Sequence, residues 1–182
     1  MAITRLGGAN AITGTIPTSV APGQGKILQV QSTTKLDVFT TTSTSFTDIT
    51  GLSVSITPSS SSSKIYITAT GSISIDGSDR NGLLKLVRGS TDIFLADQSG
   101  SNRVRASGGV HTTHGVSQYT ETYNVNVIFL DSPSSTSAIT YKLQGLTNNS
   151  SQTFTWGRTS GSTDDANRAS FPSSITVMEV AG

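Results

Sequence analysis

Two histidines, His111 and His114, stand three residues apart in HTTH, and in a chain of 182 residues without cysteine they are the only imidazoles. Imidazole is a general base near neutral pH and a common metal ligand. On a strand, a spacing of three sends the two rings to opposite faces, and neither a carboxylate nor a thiolate stands close in sequence to complete a metal shell. An ion ring made from one of them on a symmetry axis is the metal chemistry left to the pair; exposed or loop histidines are the alternative. Carbohydrate cleavage needs two opposed carboxyl groups. The two glutamates, Glu121 and Glu179, fall in segments that read as strands. Asp76, Asp79, Asp97, Asp164 and Asp165 fall in turn-like segments, where aspartate is favoured for its local hydrogen bonds. GSTDDAN lacks the spaced oxygen ligands and closing glutamate of a calcium loop. NNSS fits a glycosylation acceptor on paper but reads as a turn. No Gly-x-Ser-x-Gly elbow occurs, and no Ser-His-Asp set is singled out. The expectation is a protein that is not an enzyme, with no catalytic residue, metal or cofactor.

Recognition is the chemistry that remains. TWGRTSGSTDDANRASFP places the sole tryptophan, Trp156, with Arg158, Asp164, Asp165, Asn167 and Arg168 on a long irregular stretch. Aromatic and arginine side chains dominate recognition surfaces, and long loops in compact domains are often functional. These six residues form a candidate receptor-binding loop. The alternative is that Trp156 ends a strand and packs into the core while the polar residues are only solvated.

The elements that must position this loop are strands. From Lys26 onward the hydrophobic pattern has a period of two. In GLSVSITP, Leu52, Val54 and Ile56 share a face opposite Ser53, Ser55 and Thr57. KIYITATGSISI keeps the phase over Ile65, Ile67, Ala69, Gly71, Ile73 and Ile75, with Gly71 read as a bend or bulge. Pro58 and the serine run 59–63 connect these two strands. Gly89 and Ser90 suit a type II′ hairpin between GLLKLVR and TDIFLAD. Further strands are expected in KILQVQ, KLDVFT, NRVRAS, VSQYTETYNVNVIFLD, AITYKLQG, QTFTW and SITVMEV. About ten short strands without a convincing helix predict an all-β chain, an antiparallel β-sandwich of jelly-roll-like form over 26–182.

Two of these strands are apolar on both faces. Ile128 and Leu130 back the Tyr123, Val125, Val127 and Phe129 face, and Met178 and Val180 back Ile175 and Val177. Strands apolar on both sides need cover on both sides. Burial against sister subunits makes Ile128, Leu130, Met178 and Val180 the expected oligomer interface; a loop or the N-terminal segment of the same chain is the alternative cover.

Composition bounds the partners. Hydrophobic residues make up 34% and charged residues 13%, with a formal net charge of +1. Disorder at low hydrophobicity usually comes with high net charge, so the low charge favours a folded Ser/Thr-rich β protein. Without a basic cluster, nucleic acid has nothing to bind electrostatically. No 18-residue apolar run exists to insert into a membrane. Residues 1–25 lack the basic start and apolar middle of a secretory signal, and their glycines and prolines argue against a helix. Their scattered apolar residues fit an extended N-terminal anchor peptide ordered by a partner.

RLGGANAITGTIP, then GKILQVQSTTKLDVFTTTSTSFTDITGLSVSITPSSSSSKIYI, LVRGSTDI, FLDSP and ITVME resemble small β-rich, tail-fibre-like virion proteins of marine tailed bacteriophages, over nearly the whole chain. The resemblance implies a homotrimeric appendage on the particle surface. Its N-terminus, with Ile3, Arg5, Leu6, Ile12 and Ile16, would attach to another virion protein, and its β domain would face a host surface glycan or protein. The alternative is a capsid decoration or head-fibre protein fixed on the lattice. A polysaccharide depolymerase ranks last, because paired acids and long repetitive strands are missing.

Overall fold

Leu52, Val54 and Ile56 are buried while Ser53 and Ser55 between them are exposed, so the two-residue period becomes a strand with one dry and one wet face. A computed structural model describes residues 25–77, 79–112, 121–161 and 164–182. Among the described residues there is no helix. The strands are β1 (Ile27–Lys35), β2 (Phe39–Thr41), β3 (Thr47–Ile56), β4 (Lys64–Ile75), β5 (Arg80–Arg88) and β6 (Thr91–Ile93). They continue with β7 (Gly108–Thr112), β8 (Tyr123–Asp131), β9 (Ile139–Thr147), β10 (Phe154–Trp156) and β11 (Ser173–Val180).

They form two antiparallel sheets. The six-stranded sheet runs β1-β11-β4-β10-β2, with β8 on the other side of β4. Strand β4 is long enough to carry two neighbours on one edge: β11 pairs with residues 64–70 and β10 with residues 73–75. The five-stranded sheet runs β3-β9-β5-β6, with β7 also on β5. The inward side chains of both sheets, among them Ile65, Ile67, Ile73, Leu84, Leu86 and Leu143, make one core. Each such fully buried aliphatic side chain contributes about 2 kcal/mol of hydrophobic stabilisation. The all-β sandwich expected from the period is the architecture observed.

Local chemistry sets the connections. Gly89 has φ +58° between Arg88 and Thr91, which pair directly, so a two-residue turn closes β5 onto β6 as the glycine predicts. Gly71, in contrast, sits in unbroken register opposite Val125. It is neither a bend nor a bulge. A methyl group at this position would overlap the Trp156 ring, so glycine is there to admit the indole.

Two other segments depart from expectation. NRVRAS is a loop, and the strand forms just after it, at Gly108–Thr112, where two glycines hide the pattern. In the long segment ending at Asp131 the strand β8 starts at Tyr123, after Glu121 and Thr122, and residues 113–120, with His114, lie outside the described residues. Glu121 therefore precedes its strand.

The two sheets are joined by a polar clasp. Arg88 and Tyr141, cross-strand neighbours in the five-stranded sheet, both reach Asp131 at the end of β8 in the other sheet. At the start of the described chain, the Gly25 N–H donates to the Ala181 carbonyl (2.9 Å) and the Ala181 N–H to the Lys26 carbonyl (2.9 Å). The chain thus enters β1 beside the end of β11, at the margin where β4 begins.

Candidate functional site on the outer face of the six-stranded sheet

The register places side chains from four strands in rows. Val30 of β1 is opposite Met178 of β11, Met178 opposite Tyr66 of β4, and Tyr66 opposite Leu130 of β8. All four lie on the outer face, because the residues flanking them, such as Ile65, Ile67 and Val177, fill the core. The next row toward the Gly25 corner holds Ile27, Val180 and Lys64. The row on the other side holds Ser32, Thr176, Thr68 and Ile128. A hydrogen bond of 2.8 Å between the Ser32 and Thr176 hydroxyls fixes that row.

The apolar band is open to solvent. Ile27 is 58% exposed, Leu28 49%, Val30 51%, Ile128 54% and Leu130 45%, while Met178, Tyr66 and Val180 are half-buried. Ile128, Leu130, Met178 and Val180, on two strands that never pair, are brought onto one surface by β4 between them. Sequence pattern missed Ile27, Val30 and Tyr66. The signal for the first two was the apolar residues on both faces of KILQVQ; Tyr66, on the wet side of β4, gave none.

The other half of the same face is covered by the chain itself. Between Trp156 of β10 and Ser173 of β11, the described residues 157–161 and 164–172 turn back on one another, and Ser160 lies over the far part of β4. The Gly157 N–H donates to the Ser72 carbonyl (3.0 Å) and the Ser160 N–H to the Ser74 hydroxyl (2.7 Å). Ser74 is buried beneath this bond, and Ser72 is buried with its hydroxyl donating to the Asn124 side-chain oxygen (2.7 Å), so β4 is buried on both faces from Gly71 to Ile75. The segment covers hydroxyl-bearing rows and stops short of the apolar band.

This segment is the candidate receptor-binding loop, and its residues divide. Trp156 is fully buried, with its indole N–H donating to the Ser173 hydroxyl (2.9 Å), so it ends a strand and packs in the core rather than meeting a receptor. Arg158 donates to the Gly161 carbonyl and Arg168 to the Ser160 carbonyl, so two guanidinium groups hold one turn. The Asp165 carboxylate accepts from the Asn167 backbone and side-chain amides, a local turn of the kind aspartate favours. Asp164, Asp165 and Asn167 are exposed. Asp164 and Asp165, with Arg158 and Arg168, line a cleft of about 250 Å³.

The titratable groups are dispersed. His111 on β7 faces Asn81 and Asp79, with Nδ1 2.9 Å from the amide oxygen and Nε2 3.2 Å from a carboxylate oxygen. Among the described residues no three His, Cys, Asp or Glu side chains stand together as a metal site. Glu179 pairs in register with Ile65, whereas Glu121 precedes Tyr123, which pairs with Ile73. Eight strand residues, about 26 Å, separate those two levels along β4. The two glutamates therefore cannot flank one bond.

Glu179 is structural. Although fully buried, its carboxylate accepts from Gln29 Nε2 (2.6 Å), from the Ser59 backbone (2.7 Å) and from the Ser59 hydroxyl (2.7 Å), tying the serine run to β11. Burial pushes its pKa up, but the hydrogen bonds outweigh that and hold it at about 2. Tyr141 is raised above the usual phenol range by burial first and by its bond to Asp131 second.

The anchor residues Ile3, Arg5, Leu6, Ile12 and Ile16 lie outside the described residues. No family model matches the chain, and no curated protein matches it.

Proposed function

We propose that this chain is a non-catalytic structural protein of a tailed-phage virion, a trimeric fibre-like appendage on the particle surface. The observation that carries the reading is the apolar row Val30–Met178–Tyr66–Leu130, which crosses four strands and stays open while the chain covers the polar half of the same face. Exposed contiguous apolar surface of this kind marks a protein interface. The layout supports the remainder. Chain entry at Gly25 lies at the margin where β4 begins, and Ser160, just past β10, lies over its far end. An N-terminal peptide fixed in another virion protein would thus leave the exposed Asp164 and Asn167 facing outward, toward a host surface glycan or protein. The sequence resemblance supplies the particle context.

Two measurements test this. Sedimentation of the full chain is expected to give the mass of three copies, with Ile128→Lys and Leu130→Lys reducing it to one; a wild-type monomer at micromolar concentration overturns the reading. Counting copies per particle separates locations. Tens or fewer support a tail appendage, whereas hundreds overturn it in favour of a capsid decoration protein.

A further inference from the structure

We infer that neighbouring copies join edge to edge, the free edge of β8 in one copy pairing antiparallel with the free edge of β1 in the next, around a closed ring of three. The inference rests on the trimeric reading and specifies how its subunits meet.

Strand direction comes first. Along β1-β11-β4-β8 each strand is antiparallel to its neighbour, so β1 and β8 run in opposite directions. When two copies share one orientation about a common axis, β8 of the first therefore meets β1 of the second antiparallel. The junction repeats the pairing already used three times within the subunit. Such a head-to-tail contact uses two different patches and closes into a ring.

The two edges are also lightly guarded. Among the described residues, β8 pairs with β4 alone and β1 with β11 alone. Both strands are nine residues long. Open edges are normally blunted by outward lysine, proline, β-bulges or brevity. The one such irregularity here is a register shift between Ile27 and Gln29 at the start of β1, and from Gln29 to Lys35 the register is unbroken. YNVNVIFLD has no lysine, arginine, proline or glycine, and its one charge, Asp131, is turned inward to Arg88 and Tyr141. ILQVQSTTK carries a single charge, Lys35, which is buried against Asp37. The most exposed apolar side chains of the band, Ile27, Leu28, Val30, Ile128 and Leu130, sit on these two edge strands, and the half-buried Met178 and Tyr66 sit between them. An edge-on neighbour covers the margins first. A formal charge of +1 per chain opposes such assembly very little.

Cysteine pairs in the otherwise cysteine-free full chain test the junction. Within one subunit, positions 30 and 130 are three strand spacings apart, about 14 Å, beyond the reach of a disulfide. Any bond between them joins two copies. Val30→Cys and Ser32→Cys are each combined with Ile128→Cys and Leu130→Cys to scan register, with single variants alongside and far-ultraviolet dichroism confirming the fold. Under mild oxidation, at least one double variant is expected to give a covalent ladder ending at three chains, and the single variants none. Single variants that dimerise as readily point to face-to-face stacking and overturn the inference. So do double variants that stay uncrosslinked in a preparation whose mass is three copies, a result that leaves the trimer standing. A ladder running beyond three chains overturns the closed ring. A monomer overturns both readings, and one that associates only after removal of residues 1–24 assigns the band to that segment instead.

Discussion

The Tyr141 hydroxyl donates a 2.7 Å hydrogen bond to the Asp131 carboxylate, across the two sheets and with both residues buried. Arg88 Nη1 holds both oxygens of the same carboxylate at 2.9 Å. Asp131→Ala leaves a buried hydroxyl and a guanidinium without their acceptor. A loss of about 3 kcal/mol is expected, against about 1 kcal/mol for Tyr141→Phe, which leaves the ion pair intact. Urea denaturation measures both. Equal effects would mean that the ion pair adds nothing to the clasp.

Acid should loosen the corner where the serine run meets β11. Glu179 titrates near 4.5 when unfolded and at about 2 in the folded chain, so the folded state holds its carboxylate charged. Because the folded pKa is the lower one, this stabilisation is complete above about pH 4.5 and is lost as pH falls toward 2. Glu179→Gln is expected to be less stable than wild type at pH 7, with the gap closing at pH 3. A gap independent of pH over that range contradicts the assignment.

Gly71→Ala should be costly. The added methyl overlaps Trp156, and overpacking of this kind costs about 1 to 3 kcal/mol. Because Trp156 is the sole tryptophan, its fluorescence reports the same site: emission should shift to the red if the ring is pushed toward water. An unshifted spectrum with unchanged stability would show that the indole has room to move.

Host attachment should map to the exposed tip of the 157–172 segment. Asp164→Ala with Asn167→Ala is expected to weaken binding to host cells about tenfold, or 1.4 kcal/mol, without lowering the melting temperature. Arg158→Ala acts differently, since it removes the tie to Gly161 and should destabilise the segment itself. Wild-type binding by the double variant would move the receptor contact elsewhere.

The strands with strict alternation could be read from the chain because a two-residue period reports which side of a strand is dry. Leu52, Val54 and Ile56 obeyed it, as did Ile175 and Val177. The period does not report which strand lies next. Val30 and Leu130 reach one row only because β11 and β4, distant in sequence, come between them. Trp156 reads as a recognition residue by type, and its burial depends on a glycine 85 positions earlier that no local pattern links to it. Gly108 and Gly109 have no side chain to show a period, so β7 could not be read at all.

The position of Gly25 beside Ala181 also has a mechanical meaning. A pull applied through residue 24 and resisted at the far end of the sandwich acts along the length of β1, whose partner β11 is matched to it without interruption from Gln29 through Lys35. The rungs of that ladder are strained together in shear instead of opening one after another from a free tip. A tether leaving from the opposite end of β1 would turn the same load into peeling.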